Sequence, residues 1–235
     1  MESNIQYREC YIAFLDIMGF KNLINEKPCD YIYQVFEKIK NSYAIKSGTI
    51  DSNNDFVWEE LPKLIIETKL ISDSICLSID ADKQDSLLFL IWACYRIQYE
   101  LLKFDTPIFI RGGIVKGNIY MKDNVVFGPG LTKAYLLEEQ NAKYPRIILT
   151  KETIVSAQGN VAGVFEDFDR FYTVEYYSAI KASTDPLLKE RIFNYVYDIL
   201  STTTDNSLRE KFNYFLNTYN FAISLYPELL KKNSK

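Results

Sequence analysis

Tyr11-Ile-Ala-Phe-Leu-Asp16-Ile-Met-Gly-Phe20 and Lys69-Leu-Ile-Ser-Asp73-Ser-Ile-Cys-Leu-Ser-Ile79 are two apolar, strand-like runs, each carrying one aspartate at its end or break. A carboxylate in that position is costly to bury unless something pairs with it. Two of them at one end of a sheet make a site for hard divalent cations held through oxygen, and so point to phosphate chemistry. Gly19 allows a sharp turn out of the first strand, and Ser72-Asp73 splits two strands, about 63–71 and 74–80, into a hairpin.

Working outward, Gly19 leads to a short helix near 20–26, and Pro28 suits the start of another. Tyr31, Val35, Phe36 and Ile39 have helical spacing over about 30–43. Residues 46–62 are polar and read as a loop or excursion. A long apolar helix is expected over 83–104, then a strand at 108–116 and a ribbon at 118–127 around Lys122-Asp123-Asn124. Gly128-Pro-Gly130 breaks the strand before a helix over about 130–142 and a strand at 146–150. After a short helix at 151–157, a ribbon at about 162–177 leads to helices at 186–200 and 206–224. In the last helix Phe212, Phe215, Leu216, Tyr219 and Ala222 form an apolar stripe suited to docking on the core. The order is that of an α+β fold with a mostly antiparallel sheet and helices on one face. Residues 1–152 form the core; 153–235 are a β-ribbon and helical extension packed on it.

The 235 residues, 48% hydrophobic and 25% charged, suffice for a sizeable core. A net charge of −4 offers no broad basic surface for nucleic acid. No stretch is long and apolar enough for a membrane span, and the first residues do not read as a signal peptide. Cys10, Cys29, Cys76 and Cys94 show no C-x-x-C spacing, consistent with a reduced, cytoplasmic protein. There is no histidine, which excludes Ser-His and Cys-His nucleophilic catalysis and the common zinc sites. Carboxylates, Lys, Arg, Tyr or metal ions must carry any chemistry.

From about residue 10 to 152 the sequence resembles the class III nucleotidyl cyclases, whose catalytic domain is ferredoxin-like. Phe14-Leu-Asp16-Ile-Met-Gly-Phe20 is similar to their first metal motif and Leu70-Ile-Ser-Asp73-Ser to their second. Arg111-Gly-Gly-Ile-x-x-Gly117, Phe127-Gly-Pro-Gly-Leu-x-x-Ala134-Tyr-x-Leu-Glu138 and Ala142-x-Tyr-Pro-Arg146-Ile are more similar to a bacterial branch, the pyrimidine nucleotide cyclases of the Pycsar antiphage systems. The resemblance implies two Mg²⁺ or Mn²⁺ per site on Asp16, Asp73 and the Ile17 carbonyl, with the triphosphate held near the Gly19 and Phe20 amides. It implies cyclic UMP, more than cyclic CMP, made from UTP or CTP and sensed by a separate effector protein. It implies a homodimer with sites at the subunit interface, and no nucleic-acid or membrane partner.

The sequence departs from the purine cyclases at their transition-state Asn and Arg, where Thr132 and Leu136 stand, and at a purine-reading Asp, where Val125 stands. Arg146 matches the place of a triphosphate-binding lysine; Arg111 and Lys133 are the other candidate catalytic cations. Lys69 falls where a base-reading Lys or Glu is expected. Arg111 reads equally as an ion pair ordering the sheet or dimer. A degenerate domain that binds nucleotide without turnover, and a different two-metal nucleotidyl enzyme on a palm-like sheet, are the alternatives.

Overall fold

The paired strands that carry the two aspartates lie inside one sheet, in the order β2-β3-β1-β4-β6-β8-β7, with β5 pairing off β4. The computed structural model describes residues 5–42, 65–159 and 161–232. The strands are β1 (Arg8–Ile17), β2 (Glu67–Ile71), β3 (Ser74–Asp80), β4 (Ile110–Lys122), β5 (Val125–Phe127), β6 (Ile147–Leu149), β7 (Val164–Glu166) and β8 (Tyr172–Val174). The helices are α1 (Phe20–Glu26), α2 (Cys29–Ser42), α3 (Ser86–Leu101), α4 (Pro129–Asn141), α5 (Lys151–Val155), α6 (Tyr177–Ala182), α7 (Leu188–Thr202) and α8 (Asn206–Lys232). Only β4 and β6 pair in parallel, so the α+β, mostly antiparallel architecture read from the sequence is the one found. The excursion expected at 46–62 lies outside the described residues.

Alternation along the strands sorts side chains to two faces. Tyr11, Ala13, Leu15 and Ile17 of β1 join Ile75, Leu77 and Ile79 of β3 in a core shared with α2 and α3. Because α3 lies between the sheet and α2, it is apolar nearly all round, with Leu87, Leu90, Ile91, Cys94 and Ile97 buried. On the opposite face Cys10, Ile12, Val115 and Ile148 pack against Ala134 and Leu137 of α4. The single-faced helix layer expected from sequence therefore holds for α2 and α3, while α4 crosses the other face. Glycine permits that crossing: a Cβ on Gly117 would lie 2.8 Å from the Gly130 Cα, backbone against backbone. β4 consequently runs unbroken through Gly117 to the turn at Asp123, rather than ending near 116.

The C-terminal ribbon continues the core sheet through the β6–β8 pairing. Helices α6 to α8 enclose a second core of Tyr177, Leu188, Ile192, Val196, Phe212 and Phe215, which reaches β4 through Phe109. Phe109 meets Phe212 edge-on at 5.2 Å and Phe215 at 5.1 Å. Most of the apolar stripe read on α8 is thus buried where docking requires. The sequence reading did not anticipate α6.

Candidate active site

Strand register brings the two aspartates together. Asp16 stands opposite Ser74 of β3 on one side and Arg111 of β4 on the other. The Ile17 N–H donates to the Asp73 carbonyl at 3.0 Å, tying the end of β1 to the β2–β3 turn. That turn needs Ser72 at φ 55°, in the left-handed region. On leaving β1 the chain passes Gly19 at φ 72°, a conformation open to glycine at little cost, and begins α1. Phe20 turns into the core, edge-on to Phe36 at 6.0 Å.

Arg111 lies between two carboxylates. Its Nε–H donates to Asp16 Oδ2 at 3.0 Å, and the same nitrogen is 2.9 Å from Glu138 Oε1. The N–H is directed at Asp16, so Glu138 Oε1 is buried without an aligned hydrogen bond. Burial pushes the Glu138 carboxyl up to about 7; the Arg111 charge opposes this, while Asp16, Glu139 and Asp73 add to it by repulsion. Both aspartates therefore act on Glu138 through charge, making a three-carboxylate, one-guanidinium cluster.

Sequence reasoning quoted Glu138 within a motif but assigned it no role. The signal was present: Glu138 lies four residues after Ala134 and one after Leu137, on the inward face of α4, where an acid is conspicuous.

Beside this cluster opens a cleft of about 420 Å³ lined by Asp16, Gly19 and Arg111. The C-terminal extension contributes to its lining: Tyr195 and Ile199 of α7, and Lys211 of α8.

The other expected site residues lie elsewhere. Lys69 stands opposite Cys76, which stands opposite Phe14, so it shares the Asp16 face but sits two strands away on β2. Lys133 is exposed on α4, outside the cleft lining. Arg146 is not disposed as the expected substrate-facing cation. Its side chain is 1% exposed and held by Asp167 at 2.6 Å and by Asp169. The rings of Tyr144, Phe168 and Tyr214 surround the guanidinium at 5.2–5.7 Å. A guanidinium whose two terminal nitrogens are held by carboxylates, among aromatic rings, fastens the ribbon and α8 to the core. Thr132, Leu136 and Val125 are all exposed.

The donors at the β1–β3 end are the Asp16 and Asp73 carboxylates and the backbone at Ile17. Hard oxygen ligands of this kind suit Mg²⁺ or Mn²⁺. Among the described residues no group of three or more His, Cys, Asp or Glu forms an all-protein metal cage.

No family model matches the sequence, and no curated protein matches it. Three solved structures are similar in part. The first is the catalytic core of a rhodopsin-guanylyl cyclase with converted specificity in complex with ATPαS, with TM-score 0.49 and 15% identity over 72% of this chain and 96% of that one. The second is an adenylate/guanylate cyclase/hydrolase from Silicibacter pomeroyi, with TM-score 0.46 and 17% identity over 72% and 95%. The third is a bacterial light-regulated adenylyl cyclase, with TM-score 0.41 and 17% identity over 73% of this chain and 52% of that one.

Proposed function

We propose that the protein is a nucleotidyl cyclase that converts a pyrimidine nucleoside triphosphate, UTP in preference to CTP, into its 3′,5′-cyclic monophosphate and pyrophosphate. The observation that carries this reading is the pairing that joins Asp16 and Asp73 at one sheet end, beside a cleft with Arg111 in its wall. Divalent cations held by Asp16, Asp73 and the Ile17 carbonyl would neutralise the triphosphate and acidify the ribose 3′-hydroxyl. The 3′-oxygen attacks the α-phosphorus in line, and pyrophosphate leaves. The chain's own part is to hold the reacting groups in register and to stabilise charge. Arg111 orients the Asp16 carboxylate through its hydrogen bond. Glu138, buried on α4, holds the same guanidinium nitrogen at 2.9 Å.

We assign the site to a homodimer. Lys69 and Lys133 do not reach the Asp16 cleft within one chain, and a second copy can bring them to it. Ile71, Val125, Phe127, Tyr135 and Leu136 are large apolar side chains left exposed on β2, β5 and α4, a surface suited to a partner copy. Val125 stands where the resemblance places a purine-reading Asp, which favours a pyrimidine. A cyclic pyrimidine nucleotide would act as a second messenger on a separate effector, in the Pycsar type of antiphage defence. No described helix is long and apolar enough to cross a membrane.

Incubation of the purified dimer with each of the four ribonucleoside triphosphates and Mn²⁺, with products identified by mass spectrometry, tests the reading. A cyclic pyrimidine product, lost in Asp16→Ala and Asp73→Ala with the dimer intact, is the expected result. Metal-dependent nucleotide binding without turnover would instead favour the degenerate domain motivated by Thr132 and Leu136.

A further inference from the structure

The C-terminal extension is more than a prop for the sheet, because it builds one wall of the Asp16 cleft. We infer that Lys211 of α8 binds the polyphosphate of a nucleoside triphosphate in that cleft, so that the extension completes the nucleotide site; the inference rests on the nucleotide reading above.

The argument begins with charge. Of the cations lining the cleft, Arg111 is already engaged by Asp16 and Glu138. Lys211 is half-buried in the same cleft lining, and among the described residues its ammonium makes no ion pair. An ammonium offers three donors and a compact charge, which suits phosphate oxygens. A polyphosphate drawn toward Asp16 through divalent cations needs such a counter-charge on its outer side, since Glu26 at the same cleft is acidic.

Position is the second step. The next residue, Phe212, is buried edge-on to Phe109, whose carbonyl accepts the Met18 N–H at 2.9 Å, two residues past Asp16. The wall that carries Lys211 is thereby keyed to the strand end that carries Asp16. Three residues further along α8, Tyr214 stacks on Tyr144 at 4.3 Å and donates to Asp167, a partner of Arg146. The buried Arg146 cluster thus sets the placement of α8, and with it that of Lys211. Arg146 serves the site at a distance, by holding the helix.

Titration calorimetry of inorganic triphosphate with Mg²⁺ into the full-length wild type, Lys211→Met and Lys211→Arg tests this, with circular dichroism melts as a folding control. The expected result is binding weakened about tenfold or more in Lys211→Met, the scale of a lost charge-assisted hydrogen bond, and largely kept in Lys211→Arg. Equal affinity of wild type and a folded Lys211→Met overturns the inference, as does a wild type that binds no triphosphate. Should Lys211→Met fail to fold, Lys211→Gln takes its place under the same criteria. Wild type that binds triphosphate through Lys211 but cyclises no nucleotide sinks the cyclase reading and leaves this inference standing. Turnover with an unchanged KM in Lys211→Met does the reverse.

Discussion

Replacing Glu138 with Gln tests the buried cluster directly, because the carboxyl and the amide differ in charge and hardly in shape. Glu138 has an ordinary value of 4.5 and titrates at about 7 in the folded chain, mainly because it is buried. The folded state therefore holds a proton that the unfolded state has lost, between pH 4.5 and about 7. By linkage, stability in that window falls as pH rises. The contribution is fully present below pH 4.5 and gone above about 7. The side chain is only 4% exposed, so solvent screening calls for no discount. At about 1.4 kcal/mol per pH unit, the gap is worth about 3 kcal/mol. For a chain of this size that corresponds to roughly 6–12 °C in Tm. The assay is chemical and thermal unfolding of wild type and Glu138→Gln between pH 5 and 8, with chelator present so that bound metal does not compete. Other groups titrate in both proteins, so the difference between the two curves isolates Glu138. Wild type should lose about 3 kcal/mol more than the variant on going from pH 5 to 8. Parallel pH profiles would refute the argument, because Glu138 would then be ionised and fully compensated by Arg111 throughout.

Two further substitutions separate structural from substrate-facing roles. Arg146→Met removes the counter-charge of buried Asp167 and half-buried Asp169, and should cost about 3–5 kcal/mol by urea unfolding; activity lost at unchanged stability would return Arg146 to the substrate. Gly117→Val drives a side chain into the Gly130 backbone and should cost about 1–3 kcal/mol or more with loss of α4 packing, read by near-ultraviolet circular dichroism; a stability equal to wild type would mean that α4 does not approach β4 as closely as described.

What the sequence made legible depended on how local each signal was. The strand-end aspartates were readable because period-two apolar runs locate strands, and a charge closing such a run is an anomaly visible within a few residues. Their meeting followed from one hairpin and one antiparallel pair, and the observed register bears out that step. The extension's β-ribbon was readable for the same reason, and its docking stripe from the helical spacing of Phe212, Phe215, Leu216, Tyr219 and Ala222. Arg146 shows where local reading stops. Tyr-Pro-Arg146 carries no hint of Asp167 and Asp169, which lie in the turn between β7 and β8, about twenty residues on and brought back by the β6–β8 pairing. The same limit hid the cleft wall: Lys211 and Asp16 share a cavity, yet 195 positions separate them, and no periodicity spans that distance.

The burial of Arg146 and the absence of an arginine at position 136 bear on each other. With Arg146 held by Asp167 and Asp169, the site within one chain lacks two of the free cations that the resemblance implies, and Arg111 is committed to carboxylates. A triphosphate carries about four negative charges, which two divalent cations offset only before the Asp16 and Asp73 carboxylates are counted. On the proposed nucleotide reading, further positive charge would have to come from this chain's other elements or from a second copy. Lys211 would supply it within the chain, Lys69 and Lys133 across the proposed dimer. The two sources differ in a measurable way: triphosphate binding that depends on Lys211 persists on dilution to monomer, whereas binding that depends on Lys69 or Lys133 falls with the dimer.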